Sequence, residues 1–358
     1  MAKKYNFYAG PAILPQEVMK KAQAELLDFN GIGLSIMEIS HRSKDFEAVI
    51  NGAEARIRTL LGVPENYTIM FLQGGASLQF GMIPMNLLKG KKADYVHTGE
   101  WAKKAIKEAK LFGTVNIAGT SEDKNFSYVP ENLKLSPDAQ YVHVTSNETI
   151  GGIQFSQFPE TGNVPLVIDM SSDIFSRRID FKNIGMIYAG AQKNIGPAGV
   201  TLVIMRNDLI ETGADGLTTM LSYKTHAKEK SMYNTPPCFA IYIIKLVMEW
   251  IEGLGGLAGI EKINNEKAKT LYDAIDNSNG FYKGTAALKD RSKMNVTFRL
   301  PSEELEEKFI NEAKKAGFIG LKGHRSVGGC RASLYNAMSL EGVSELTQFM
   351  KKFAAENK

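Results

Sequence analysis

Lys193 stands in the stretch YAGAQKNIGPAG, residues 188 to 199, and Asp169 stands in PLVIDMSSD, residues 165 to 173. Each stretch reads as a buried strand running into a polar turn, with β-branched and apolar residues first and small, polar ones after. Gly196, Pro197 and Gly199 force tight turns just beyond the lysine. The separation of 24 residues (193 − 169) leaves room for one connection and one further strand. An amine and a carboxylate then sit at neighbouring strand ends, where open α/β sheets hold their ligands. Pyridoxal phosphate chemistry needs that pair. The lysine forms a Schiff base with the aldehyde, and the carboxylate keeps the pyridine nitrogen protonated so that the ring accepts electrons. Taken alone, the pair fits better a solvated loop lysine and a helix-capping aspartate, so the rest of the chain decides.

Further stations follow the same strand-then-turn logic. Gln73-Gly74-Gly75-Ala76-Ser77 lies between a strand and a helix, where glycines admit an anion and free helix N–H groups bind phosphate. Trp101, in HTGEW after the next strand, is one of only two tryptophans and can stack on a pyridine ring, with core packing as the plainer reading. Thr149, in SNETIGG, can donate to a phenolic oxygen or belong to an ordinary turn. Asn234 and Thr235 occupy a polar loop, MYNTPP, before an apolar helix, with Lys224, His226, Lys228 and Lys230 upstream. They can reach a phosphate, or the loop is simply solvated. His41-Arg42 and GHRSVGGCR, residues 323 to 331, place Arg42, Arg325 and Arg331 with His41 and His324 on polar or glycine-flanked loops. Arginine binds carboxylate or phosphate through a planar fork, although surface arginines are common.

The elements that position these stations are short strands alternating with helical segments. Strands are predicted at 67–72, 94–98, 115–118, 141–145, 166–170, 186–189 and 200–205, with helices at 16–29, 46–61 and 102–111. That alternation predicts an α/β fold built on a mainly parallel sheet covered on both faces. GLGGLAG, residues 253 to 259, marks a change of character. Beyond it the pattern is a long polar helix at 260–275, a strand at 294–300, a helix at 302–316, a strand at 331–336 and a helix at 344–355. This predicts a smaller α+β domain. The division expected is 16–255 as the large cofactor-binding domain, and 1–15 with 256–358 as the small one.

Composition narrows the field. The chain of 358 residues is long enough for two domains. A hydrophobic fraction of 44% with 23% charged residues is that of an ordinary globular enzyme. A net charge of +4 without a dense basic block argues against nucleic acid as a partner. Cys238 and Cys330, the two cysteines, form no disulfide framework, and no metal-ligand spacing is present. The N-terminus lacks the apolar run of a signal peptide. The most apolar helical stretch, from Phe239, is interrupted by Lys245 and too short for a bilayer. A soluble protein of the cytoplasm, with no membrane partner, is expected.

Taken together, NFYAGPA, SHRS, GGASLQF, HTGEW, SNETIGG, DMSSD, YAGAQKNIGPAG, YNTPP and GHRSVGGCRASLYNAM resemble, in order and over nearly the whole chain, segments of the phosphoserine aminotransferase family. SHR, NTPP and GHRSVGG separate that family from pyridoxal phosphate enzymes at large. The resemblance implies a class V aminotransferase of fold type I, the aspartate-aminotransferase type, with a seven-stranded sheet in its large domain. It implies pyridoxal 5'-phosphate held by Lys193 and Asp169, with Trp101 on the ring and Thr149 at the phenolic oxygen. Ala76, Ser77 and Gln192 would hold the phosphate, joined by Asn234 and Thr235 from the second subunit of a homodimer with shared active sites. Arg331 would take the substrate α-carboxylate, and His41, Arg42, His324 and Arg325 the distal anion. Where the family often has serine, this chain has Ala9, so only a backbone contact remains at that position.

The reaction so implied is ping-pong amino transfer from L-glutamate to 3-phosphohydroxypyruvate, giving O-phospho-L-serine and 2-oxoglutarate. Its place would be L-serine biosynthesis, with pyridoxine biosynthesis as a second pathway in which a related phosphorylated substrate occurs. Three alternatives stand beside it. A cysteine desulfurase would need Cys330 as a mobile nucleophile, and a small-substrate aminotransferase would not need two arginine sets. A non-enzymatic pyridoxal-binding protein would not need Lys193 together with the distal arginines.

Overall fold

A computed structural model describes residues 4–357; residues 1–3 and 358, which the expected small domain includes, lie outside that range. In chain order it runs β1 (Tyr5–Asn6), α1 (Gln16–Ala24), α2 (Lys44–Leu61), β2 (Tyr67–Leu72), α3 (Gly75–Leu87), β3 (Lys92–His97) and α4 (Glu100–Ala109). Next come β4 (Thr114–Thr120), β5 (Val142–Thr145), a hairpin of β6 (Asn147–Glu148) and β7 (Ile153–Gln154), β8 (Leu166–Asp169), β9 (Ile184–Gly190) and β10 (Thr201–Arg206). Helices α5 (Asn207–Glu211), α6 (Tyr223–Lys228), α7 (Cys238–Gly253) and α8 (Gly256–Asp276) follow. The chain closes with β11 (Lys283–Gly284), β12 (Asn295–Arg299), α9 (Glu303–Lys315), β13 (Phe318–Ile319), β14 (Cys330–Ser333) and α10 (Leu340–Glu356).

Seven strands form the central sheet in the order β2-β10-β9-β8-β5-β3-β4. Neighbours from β9 through β4 are parallel, while β10 runs antiparallel to both β9 and β2. The mainly parallel seven-stranded sheet expected from the sequence is present. Strands β5, β8 and β9 are buried at every position, as strands sandwiched between helical layers must be. On β8, Leu166 and Ile168 join the core under α2 and α7, and Val167 points to the opposite core under α3 and α4. Helix α2 illustrates the local chemistry: the Ser43 hydroxyl accepts the Phe46 N–H at its start, and Gly62, left-handed at φ 66, ends it.

Because β2 and β9 are both antiparallel to β10, the strands β2, β3, β5, β8 and β9 all end at one edge of the sheet. Every station singled out at a strand end therefore emerges on the same side.

The C-terminal region builds its own core around Phe298, Phe309, Leu346 and Phe353 on an antiparallel sheet β11-β12-β14. Tyr5 and Phe7 belong to that core, and β1 pairs in parallel with β13. Several boundaries differ from expectation. Helix α1 stops at Ala24 rather than Phe29: the helical spacing of apolar residues continues through Leu27, yet that side chain is 84% exposed. Likewise α4 ends at Ala109, short of the exposed Leu111. Helix α10 starts at Leu340, where the Ser339 hydroxyl caps the Gly342 N–H, four residues before the apolar repeat at 344. No helix among the described residues is long and apolar enough to cross a membrane.

Candidate active site

Asp169 is the last residue of β8, and Lys193 lies in the turn just after β9, the neighbouring strand. Asp169 is 5% exposed, and its Oδ1 accepts the Ser171 N–H at 2.9 Å. It makes no ion pair among the described residues. Burial pushes its carboxyl up, opposed by the Ser171 hydrogen bonds and by Lys193. The Lys193 amine donates to Thr149 Oγ1 at 2.7 Å, with its side chain partly buried. Burial pulls this amine down to about 8 from 10.5, with Asp169 and Glu148 working the other way. The Trp101 ring, in the first turn of α4, has its centroid 5.0 Å from the amine, and its Nε1 is buried without a partner among the described residues.

Two more elements close around the lysine. From β14, Arg331 Nη1 donates to the Thr149 carbonyl at 3.2 Å, while its Nε is buried without a partner among the described residues. From the N-terminal segment, Gly10 runs along the lysine stem so closely that a Cβ there would stand 3.3 Å from Lys193 Cγ. The Ala12 N–H donates to the Gln192 carbonyl at 2.8 Å. Ala9 contributes through its backbone, its carbonyl accepting from the Tyr335 hydroxyl at 2.7 Å. His324 and Arg331 line an adjoining cleft with Phe126, Ile150 and Gly151. His324 Nδ1 pairs with the Ser326 hydroxyl at 2.7 Å, and burial with the nearby Arg331 and Arg325 pulls its pKa down. Arg325 itself is exposed.

Ala76 and Ser77 sit in the first turn of α3, after Gly74 at φ 86, and no side chain caps that helix. A Cβ on Gly74 would meet Leu78 at 2.5 Å, so the bare turn is enforced. The N–H groups of that first turn have no side-chain cap, which leaves them open to an anion. Not every expected residue is joined to this cleft. Asn234 and Thr235 are exposed, and their side chains make no hydrogen bond among the described residues. Arg42 is exposed just before α2, and His41 Nε2 is buried without a partner. Neither is tied to the cleft by a hydrogen bond or ion pair among the described residues.

Sequence reasoning passed over Glu148, Ser171, Asn194 and Tyr335. Asn194 Oδ1 accepts the Asn336 N–H at 2.9 Å, tying the Lys193 turn to the segment after β14. No spacing could reveal the contacts of Glu148, Asn194 and Tyr335, since their partners lie far along the chain, while Ser171 bonds Asp169 two positions away. Only the polarity of a residue next to a site residue offered a hint.

The donor set fits pyridoxal phosphate. A buried carboxylate forms no ion pair among the described residues, an amine beside an indole ring is held below its ordinary pKa, and a helix start without a side-chain cap is open to an anion. Among known proteins, the family described as Aminotransferase class-V matches residues 4–346. A phosphoserine aminotransferase of Desulfosudis oleivorans is 59% identical over 356 residues, 99% of this chain and 98% of the relative. One of Geobacillus kaustophilus is 56% identical over 99% of each. The solved phosphoserine aminotransferase of Bacillus circulans subsp. alkalophilus matches with TM-score 0.98 at 54% identity, covering 100% of both chains. The PLP-bound one of Trichomonas vaginalis has TM-score 0.93 at 43% identity, covering 98% of this chain and 100% of its own. The chain thus belongs to the class-V aminotransferases, within the phosphoserine aminotransferase family, as a pyridoxal-phosphate-dependent enzyme.

Proposed function

We propose that this aminotransferase moves the amino group of L-glutamate to 3-phosphohydroxypyruvate, giving O-phospho-L-serine and 2-oxoglutarate, as a cytoplasmic step of L-serine biosynthesis. The observation that carries this reading is the 59% identity, over 99% of the chain, to a relative named phosphoserine aminotransferase. The free cysteines, Cys238 and Cys330, suit a reducing compartment. Cys330 is 2% exposed and burial pushes its thiol far up, which disfavours it as a desulfurase nucleophile.

Bound pyridoxal phosphate supplies an aldehyde to carry the amino group and a ring to accept electrons. The remaining work falls to side chains. Lys193, with a pKa near 8, is neutral often enough near neutral pH to anchor the cofactor covalently and then carry the proton to and from the substrate Cα. Asp169 would keep the ring nitrogen protonated, Trp101 would lie on the ring, and Thr149 would meet the phenolic oxygen. The phosphate would rest on Ala76, Ser77 and Gln192, with Asn234 and Thr235 supplied by a second copy of the chain. Their exposure here supports that homodimer with shared sites. Residues 16–255 would form the cofactor-binding domain, and 1–15 with 256–358 the smaller one, a division supported by the packing of Tyr5 and Phe7 into the C-terminal core. Arg331 would bind the α-carboxylate, and His41, Arg42, His324 and Arg325 the distal anion.

Comparing three acceptors with glutamate as donor tests the assignment. 3-Phosphohydroxypyruvate should be strongly preferred over oxaloacetate and pyruvate. Arg42→Ala should lower its kcat/KM roughly tenfold to a hundredfold, as loss of a charged hydrogen bond does, and should affect pyruvate far less. Equal use of pyruvate would leave an aminotransferase and sink the phosphorylated substrate.

A further inference from the structure

Glu148 is 1% exposed and lies on β6, directly before Thr149. Its carboxylate crosses to the start of α4, where Oε1 accepts the Ala102 N–H at 3.1 Å and Oε2 the Trp101 N–H at 3.4 Å. Helix α4 has no cap of its own, since position 99 is glycine. A side chain is not tolerated there: a Cβ on Gly99 would stand 2.7 Å from Glu148 Cδ. The donors that a helix start leaves open are therefore served by a residue 46 positions away. The same helix turn carries the Trp101 indole, and the same β-hairpin carries the hydroxyl that holds Lys193.

The indole has no polar tether. Its Nε1 is buried without a partner among the described residues, the ring packs against the apolar core under α3 and α4, and Lys104 and Lys193 lie over it at 4.3 and 5.0 Å from its centroid. The plane of the ring is thus set by packing and by how firmly the Trp101 backbone is held. We propose that Glu148 is a positioning residue whose carboxylate locks the first turn of α4 to the Thr149 turn and so sets the Trp101 indole against the cofactor ring. This rests on the reading that places Trp101 on that ring.

Charge makes the clamp adjustable. An ionised carboxylate at a helix start accepts N–H groups more strongly than a neutral acid. Burial pushes the Glu148 carboxyl up to about 7, with Asp169 on β8 adding to the rise, and Lys193 and the two α4 N–H groups opposing it. The clamp therefore changes charge near neutrality.

The test uses holoenzyme in a Trp250→Phe background, which leaves Trp101 as the only indole. Trp101 emission and the visible circular dichroism of the bound cofactor are followed between about pH 6 and about pH 8.5. In the parent, cofactor should quench Trp101, and both signals should titrate near neutrality. Glu148→Gln keeps the shape and one acceptor oxygen. It should retain cofactor, lose the titration and reduce the visible dichroism by roughly half. Glu148→Ala, with neither acceptor, should reduce it further. Signals in Glu148→Gln that match the parent across the range would overturn the proposal. So would a parent signal that does not titrate, an outcome that needs no variant at position 148. Failure of cofactor to quench Trp101 in the parent would instead remove the ring placement on which the proposal stands.

Discussion

Arg331 Nη1 donates to the carbonyl oxygen of Thr149 at 3.2 Å, across 182 positions of sequence. The Thr149 hydroxyl, on the same residue, receives the Lys193 amine at 2.7 Å. One threonine thus registers the arginine of the C-terminal region against the lysine of the central sheet. With Nη1 engaged by backbone, Nε is buried without a partner among the described residues, a donor that a carboxylate would satisfy.

That geometry predicts the behaviour of Arg331→Lys. The charge stays while the fork is lost, so kcat/KM for both glutamate and the oxo-acid acceptor should fall roughly tenfold to a hundredfold. Cofactor affinity should change little. Steady-state kinetics with a cofactor titration check this, and a large loss of cofactor binding would contradict it.

Lys193 should be the only residue labelled when the holoenzyme is reduced with borohydride and mapped by peptides. Lys193→Ala should remain folded and unlabelled, because its neighbours on β9 and in the turn pack without it. A label elsewhere would dismantle the site described above.

The buried amine also predicts a pH signature in the apoprotein. Below about 8 the lysine is charged in folded and unfolded chains alike, so the folded state bears the whole cost of burying it. Above 10.5 it is neutral in both and that cost is gone, so its contribution to stability improves as pH rises between the two values. Lys193→Met should therefore raise the Tm most at or below about pH 8, with the gain shrinking towards higher pH. A gain independent of pH would show that the amine titrates normally.

Asn234 and Thr235 allow a test of site sharing. Inactive Lys193→Ala and inactive Asn234→Ala/Thr235→Ala chains, unfolded and refolded together, should recover activity, because one hybrid site has both intact halves. No recovery in subunits shown to have exchanged would count against a shared site.

Gly74→Ala should weaken cofactor binding and lower the Tm by a few degrees. The residue sits at φ 86, where a side chain costs about 1–2 kcal/mol, and its Cβ would meet Leu78 at 2.5 Å. Added inorganic phosphate should protect the parent against heat more than the variant.

Much of the sheet was legible because its strands are apolar runs ended by polar turns, and burial on both faces leaves no other pattern open to them. Lys193, Asp169, Thr149 and Trp101 could be picked out for the same reason: each follows such a run, and parallel strands deliver their ends to one edge. The helix ends at Ala24 and Leu340 were less legible, since apolar spacing does not distinguish an exposed leucine from a buried one or register a serine cap.

What the chain order could not contain is which distant groups meet. The Glu148 carboxylate under the Trp101 turn, Gly10 along the Lys193 stem and the Tyr335 hydroxyl on the Ala9 carbonyl are contacts between residues 46, 183 and 326 positions apart. Local sequence determines which groups can donate and accept; only packing decides which of them are buried together. Burial then turns an ordinary lysine and an ordinary glutamate into groups that titrate near neutrality, because removing water penalises the charged form of each.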